Sequence, residues 1–284
     1  MILVTGATGK VGQHLITALK EKGAPFKALV RSDASAQSLA AQGVETVRGD
    51  LAAPASLTAA LQGAEKLFLL SSAPRFDEIE IPVIRAAQQT GIRNIVKLSA
   101  LGVSLDSSSP LFRSHARVER FLEDSGIAFT ILRPTFFNQN WVAFYSQSIK
   151  AGQPVYSNSG NARLGWVDTR DIAAVAASAL TENGHDGFIY DLTGPETLSY
   201  AEVASRLGKW LGREVAYVPV PDAAAFQAMK GMGFDPWYAY GMTTLNQSIQ
   251  RGAADVVTGT VELVTGKAAR SLDAFLQENL AAFR

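Results

Sequence analysis

Three glycines spaced three apart, Gly6, Gly9 and Gly12, stand in the stretch Thr5-Gly6-Ala7-Thr8-Gly9-Lys10-Val11-Gly12. Their chemistry is phosphate recognition. Gly6 suits a tight turn, Gly9 lets the backbone approach a pyrophosphate, and Gly12 permits close packing of helix on strand. The helix that starts there offers unpaired N–H groups and its positive dipole end to anionic oxygens. Arg31 lies about 20 residues beyond the glycines, where a nucleotide fold places an acid on a ribose 2′-hydroxyl. A guanidinium there suits a 2′-phosphate instead, so NADP(H) is favoured with NAD(H) tolerated. Asp33, two positions on, is expected to cap the following helix.

These residues need elements to hold them. Met1-Ile2-Leu3-Val4 is an apolar run of strand length, and Val11, Leu15 and Leu19 mark one helix face. Further strands are expected at residues 26–30, 44–48, 67–70, 94–98, 128–132 and 188–192, with helical segments between them. Alternating strands and helices imply an α/β fold, a doubly wound parallel-sheet Rossmann fold with a smaller C-terminal substrate subdomain. Residues 1–150 and 164–192 are assigned to the dinucleotide-binding part, and 151–163 and 193–284 to the smaller part. Within the latter, Ser199-Tyr200-Ala201-Glu202 reads as a capping box. The tail helices are expected to fold over the strand ends and close a substrate cleft.

Ligands on such sheets lie beyond the strand C-termini. After the third strand, Asp50 can accept from an adenine amino group with Leu51 against the ring; the competing reading is an Asx turn. After the fourth, the small residues Ser71, Ser72 and Ala73 let backbone run beside a ribose. Ser99 closes the fifth strand beneath the expected nicotinamide. The sixth ends at Pro134, which cannot continue a central strand. Thr135 and Phe136 follow beside the cofactor, and Phe137, Asn138 and Trp141 are candidates for a substrate wall. Phe234, Trp237, Tyr238 and Tyr240 form an aromatic stretch in the tail, of which Trp237 is the substrate candidate, although core packing is an open alternative. The loop from Ser104 to Ser109 reads as a polar flap.

Composition narrows the classes. The 284 residues are 47% hydrophobic and 18% charged, with 26 basic and 26 acidic side chains and no basic cluster. That balance argues against a nucleic-acid or anionic-membrane partner. Cysteine is absent, which excludes disulfides, thiolate metal sites and cysteine nucleophiles. No apolar run reaches 18 residues and the first residues lack a basic n-region, so a cytoplasmic location is expected. The three histidines, His14, His115 and His185, are too scattered to suggest a metal site.

The stretches TGATGKVG (5–12), ALVRS (28–32), GD (49–50), ILRPTFFNQN (131–140), WVDTRDIA (166–173) and LTGPETLSYAEVA (192–204) together resemble the NmrA-like branch of the atypical short-chain dehydrogenase/reductases. The resemblance implies a dinucleotide cofactor and one of two activities. One is NAD(P)H-dependent reduction of quinones, azo dyes or similar conjugated acceptors; the other is non-catalytic NADP(H) sensing. It also locates a departure. Carbonyl-reducing relatives carry Tyr-x-x-x-Lys ahead of a Glu, and alignment on Glu119 puts His115 at the lysine position and Leu111 at the tyrosine position. Without the phenol, reduction of a ketone lacks its positioned acid, whereas a quinone gives a phenolate that water can protonate. His115 is then the catalytic or cofactor-binding candidate, relaying a proton or bonding the nicotinamide ribose, with Glu119 one turn on to steady it; a partly buried structural histidine is the open alternative. Asp168 and Asp171 are read as a helix cap and a stabilising charge, within reach of Arg133 or Arg170. Dimerisation is common in this fold class, so a homodimer is an open expectation.

Overall fold

The computed structural model describes residues 1–71 and 75–284, with the backbone alone for 54 and 55. Strands are β1 (Ile2–Val4), β2 (Phe26–Val30), β3 (Thr46–Arg48), β4 (Lys66–Leu69), β5 (Asn94–Leu98), β6 (Ala128–Pro134), β7 (Val155–Ser157), β8 (Arg163–Leu164), β9 (Phe188–Leu192), β10 (Leu198–Ser199) and β11 (Tyr217–Pro219). Helices are α1 (Lys10–Glu21), α2 (Asp33–Ala40), α3 (Pro54–Leu61), α4 (Phe76–Thr90), α5 (Pro110–Glu123), α6 (Ser146–Lys150), α7 (Thr169–Thr181), α8 (Tyr200–Leu211), α9 (Asp222–Gly231), α10 (Pro236–Gln250), α11 (Thr260–Thr265) and α12 (Leu272–Glu278).

Seven strands form one sheet in the order β3-β2-β1-β4-β5-β6-β9. The pairs from β3 to β6 are parallel, and Gly187 and Thr135 donate to Phe129 and Leu192 in the same sense, so β9 runs with them. Strand order therefore reverses between β1 and β4, which is the switch point where nucleotides bind in doubly wound sheets. The strands are near-continuous apolar runs because helices cover both faces. Leu3, Leu67, Leu69, Ile95 and Ile131 meet Leu57, Val83, Ile84, Val118 and Leu122 in one core.

β2, β5 and β9 have the bounds their hydrophobic runs suggest. β3 is shorter than expected at its start. Val44 closes the end of α2 instead, its N–H donating to the Leu39 carbonyl at 3.0 Å. β6 runs on to Pro134, and the next N–H, of Thr135, bonds the Leu192 carbonyl at 3.0 Å.

The chain divides into two compact units: residues 1–105, 114–133 and 172–190, and residues 106–113, 134–171 and 191–284. This division puts 106–113, 134–150, 164–171 and 191–192, expected with the nucleotide-binding part, in the second unit. The reason is visible in the packing. Trp141 and Trp166 share a buried cluster with Tyr200, at centroid distances of 5.7, 5.5 and 5.1 Å around the three pairs. β7 pairs with β11 and β8 with β10 in small sheets beside that cluster. Asn158 ties in the tail, donating to Asp222 on α9 at 2.8 Å and accepting from Asn246 on α10 at 2.5 Å. α8 begins with the expected capping box between Ser199 and Glu202.

The Ser104–Ser109 loop is anchored at its end rather than loose. Ser109 Oγ, fully buried, donates to the Gly241 carbonyl at 2.8 Å, and Arg113 holds the Ser108 carbonyl at 3.0 Å. Among the described residues no helix is long and apolar enough to cross a membrane.

Candidate active site

The glycine loop joins β1 to α1 at the switch point. Buried Thr5 fixes its start: its hydroxyl bonds the Phe68 and Leu70 carbonyls at 3.0 and 2.9 Å and accepts from Leu70 N–H at 2.8 Å. Gly6 has φ of +64°, a conformation that favours glycine. A Cβ on Gly12 would sit 2.1 Å from the Gly6 carbonyl oxygen, so only glycine lets helix and loop pack. Ala7 and Val11 are buried while Thr8, Gly9 and Lys10 are exposed. The α1 N-terminus has no side-chain cap and no acid in its first turn. Its N–H groups and dipole are thus presented to an incoming anion.

Arg31, after β2, is exposed. The α2 cap is Ser32, which accepts from Ser35 N–H at 3.2 Å, and not Asp33 as the sequence suggested. Asp33 is the first helical residue and lies 3.5 Å from the Arg48 guanidinium. A serine reaches the same N–H groups from one position earlier, which leaves the carboxylate at the helix start. Asp50 makes the Asx turn, accepting from Ala52 N–H at 3.0 Å, and Leu51 packs against the sheet core. Ser72 and Ala73 lie outside the described residues.

Behind the ends of β4, β5 and β6 runs a buried polar network. Ser71 donates to Glu80 Oε1 from its N–H at 3.2 Å and its hydroxyl at 2.8 Å. Glu80 Oε2 lies 2.7 Å from Lys97 Nζ in a charge pair whose side chains are 1% and 0% exposed. The contact at Oε2 lacks hydrogen-bond alignment, so it is a close Coulombic contact. Lys97 Nζ donates to the Leu98 carbonyl at 3.0 Å and lies 3.3 Å from His115 Nδ1. Phe76 stacks on the imidazole at 3.9 Å. Burial, and then the Lys97 charge, push the His115 imidazolium well below the ordinary 6.5. The residue as a whole is partly exposed.

Glu119 does not steady His115 as expected. It accepts from the Ser99 hydroxyl and takes a two-point contact from Arg133, with Arg133 Nε at 3.1 Å. Glu119 Oε1 has Ser99 at the end of β5 and Arg133 on β6 as donors, and a bidentate guanidinium outcompetes a neutral ring one turn away. Asp168 pairs with Arg170 at 2.8 Å and accepts from Arg170 N–H at 2.9 Å, and Asp171 pairs with Arg270. Burial works against ionised Asp168, but these bonds outweigh it and hold its carboxyl below the usual range.

In the second unit Leu111, at the position aligned with the family tyrosine, is buried, and a Cβ on Gly241 would meet its side chain at 2.6 Å. Pro134 and Thr135 are buried; Phe136 stands edge-on to Trp166 at 6.0 Å, and Phe137 bridges Val167. Asn138 and Trp141, expected to face a substrate, are both 0% exposed. The apolar packing that a tryptophan gains in a core outweighs exposure, and Trp141 belongs to the buried aromatic cluster. Trp237 is half-buried in the first turn of α10, below Tyr240, which is 53% exposed.

Lys97 and Glu80 were not singled out in the sequence. The available signal was a lysine inside the apolar run Asn94-Ile95-Val96-Lys97-Leu98, where a buried charge needs a partner.

The sheet order and the glycine loop at the switch point define a nucleotide-binding Rossmann-type fold. The chain belongs to the NmrA-like family, whose profile matches residues 1–273. It is 39% identical to the NAD(P)H azoreductase of Xenophilus azovorans, over 100% of this chain and 99% of that protein. Among solved structures it resembles the Escherichia coli NADPH-dependent quinone oxidoreductase complexed with NADPH (TM-score 0.87, 31% identity, 98% and 99% of the two chains). It also resembles the Citrobacter sp. triphenylmethane reductase complexed with NADP(H) (TM-score 0.86, 26% identity, 98% and 99%).

Proposed function

We propose that the chain is an NADPH-preferring reductase of conjugated electrophiles, quinones or azo dyes among them. The observation that carries this reading is the uncapped, acid-free start of α1 behind a loop that only Gly12 fits, on a chain whose α5 has leucine where a tyrosine acid would stand. The named activities of the azoreductase and the two reductases above support it.

The residues present fit a dinucleotide. Gly6, Ala7, Thr8, Gly9, Lys10, Val11 and Gly12 form the pyrophosphate cradle. Arg31 takes the 2′-phosphate, which selects NADPH over NADH. Asp50 and Leu51 flank the adenine, and Ser71 and Ser99 line the ribose and nicotinamide end. Ser72 and Ala73 are assigned there by chain position, as are Pro134, Thr135 and Phe136 just past β6. Phe137 and Trp237 are the remaining substrate-contact candidates. When bound, the dinucleotide supplies a hydride from its nicotinamide C4. A conjugated acceptor would leave an anion that water can protonate, so leucine at position 111 would withhold no acid the reaction needs. His115 donates a hydrogen bond at the site and does not cycle through its cation. Catalysis then rests on holding the two rings in contact.

The test is NADPH oxidation with a benzoquinone, a naphthoquinone, a hydroxylated azo dye and a simple ketone, with NADH and an Arg31→Ala variant in parallel. Turnover of the conjugated acceptors and not of the ketone is expected. Arg31→Ala should lower the NADPH-over-NADH preference about 10- to 100-fold, since a hydrogen bond to a charged group contributes about 1.5–3 kcal/mol. Tight NADPH binding with no turnover on any acceptor would overturn the enzyme reading in favour of a sensor.

A further inference from the structure

We propose that Lys97 is a positioning residue that locks His115 into the neutral Nε2–H tautomer, and that Glu80 couples this lock to the Ser71 strand end. A lysine ammonium has three N–H donors and no acceptor. Around Lys97 Nζ stand three groups, Glu80 Oε2 at 2.7 Å, the Leu98 carbonyl at 3.0 Å and His115 Nδ1 at 3.3 Å. With only donors facing it, Nδ1 must accept, so the ring proton sits on Nε2. The stacked Phe76 ring leaves the imidazole little freedom to turn over.

Among the described residues, the acidic groups on the helices around the ring are engaged elsewhere. On α4, Glu80 faces Lys97, and Asp77 is bound to Ser114 and Arg117. On α5 itself, Glu119 is bound to Ser99 and Arg133. Glu80 has its other oxygen on both donors of Ser71. One buried ion pair therefore sets two features at adjacent strand ends: the Ser71 backbone after β4 and the donor edge of His115 beside β5. The consequence is chemical. A ring held as a neutral Nε2–H donor can bond an oxygen of the cofactor ribose or of an acceptor, but it does not shuttle a proton at neutral pH. That last statement rests on the reductase reading; the tautomer itself does not.

The experiment is long-range proton–nitrogen correlation NMR of 15N-histidine-labelled full chain, without cofactor, from pH 8 to 6. The His115 signals are assigned by their loss in His115→Gln. Wild type is expected to show His115 as a single neutral Nε2–H tautomer throughout. The Lys97→Met/Glu80→Gln double variant removes both charges together, so no buried ion is left unpaired. There His115 should show mixed tautomers, and its titration should move up from the wild-type position while burial still holds it below the ordinary 6.5. A wild-type ring protonated on Nδ1, or doubly protonated at pH 7, would overturn the proposal. So would an unchanged tautomer in a folded double variant. If that variant does not fold, the wild-type spectrum alone decides. Because the spectra need no turnover, an inactive protein with the expected tautomer would sink the reductase reading and leave this one standing.

Discussion

Both units bury groups that sequence reasoning would reserve for chemistry, but they bury them differently. In the first unit the buried groups are ionic and sit at strand ends: Glu80 with Lys97, and Glu119 with Ser99 and Arg133. In the second the largest are aromatic, Trp141 and Trp166 at most 1% exposed and Tyr200 3% exposed, although the carboxylates of Asp168 and Asp171 are buried there too. A buried ion pair is a poor source of stability, because desolvation offsets much of the Coulombic gain. A packed indole is a strong one. The contrast separates placement from cohesion. The first unit uses costly polar contacts to set the direction of groups beside the glycine loop, whereas the second uses its large rings as core.

The sharpest way to break that comparison is Trp166→Ala. Loss of a fully buried indole, which also donates to the Leu198 carbonyl at 2.9 Å, should cost about 3–5 kcal/mol in urea unfolding. NADPH affinity of the folded fraction should be unchanged. A changed acceptor KM with unaltered stability would show that the ring serves substrate and not cohesion.

Gly12→Ala tests the opposite side. A methyl group 2.1 Å from the Gly6 carbonyl forces loop and helix apart, at a cost of about 3 kcal/mol and with loss of dinucleotide binding by titration. Gly231→Ala is the control, since it meets nothing within 4 Å and its φ is not positive. It should be neutral, or stabilising by about 0.5–1 kcal/mol.

Acid should act on the first unit through His115. Its folded value lies well below the 6.5 of the unfolded chain, so between the two the unfolded state holds one more proton. Stability therefore falls as pH drops below 6.5, by at most about 1.4 kcal/mol per pH unit. Urea midpoints from pH 7.5 to 5.5 should show this slope in wild type and lose it in His115→Gln.

The smallest effect belongs to Glu202 on the second unit. Arg163 and the Ser199 N–H lower its carboxyl to about 2 from 4.5, so the contribution is present above 4.5 and lost as pH falls toward 2. The pair is exposed and solvent-screened, so Glu202→Gln should cost at most about 1 kcal/mol at pH 7. The gap between the two melting curves should close near pH 2.

Local signals carried far where they were strong. The glycine spacing placed the β1–α1 turn, and the runs at 26–30, 94–98 and 188–192 have the bounds of β2, β5 and β9. Ser199 and Glu202 announced α8. The candidate site was legible only as chain positions after each strand, because a parallel sheet brings all those ends to one edge. Which side chain meets which was not legible. Glu119 is one helical turn from His115, yet it bonds Arg133, and Ser32 and not Asp33 caps α2. Trp141 follows a site-like sequence and lies in the core.

By itself the sequence determined the strand–helix alternation, the glycine turn after β1 and the absence of a tyrosine on α5. Each depends on residue type and local spacing alone. Only the tertiary structure decided the partners of charges and rings. Lys97, Glu80 and His115 come from β5, α4 and α5, and sheet order brings them together. Buried donors and acceptors must be satisfied by whatever packing delivers, and that is a property of the assembled fold.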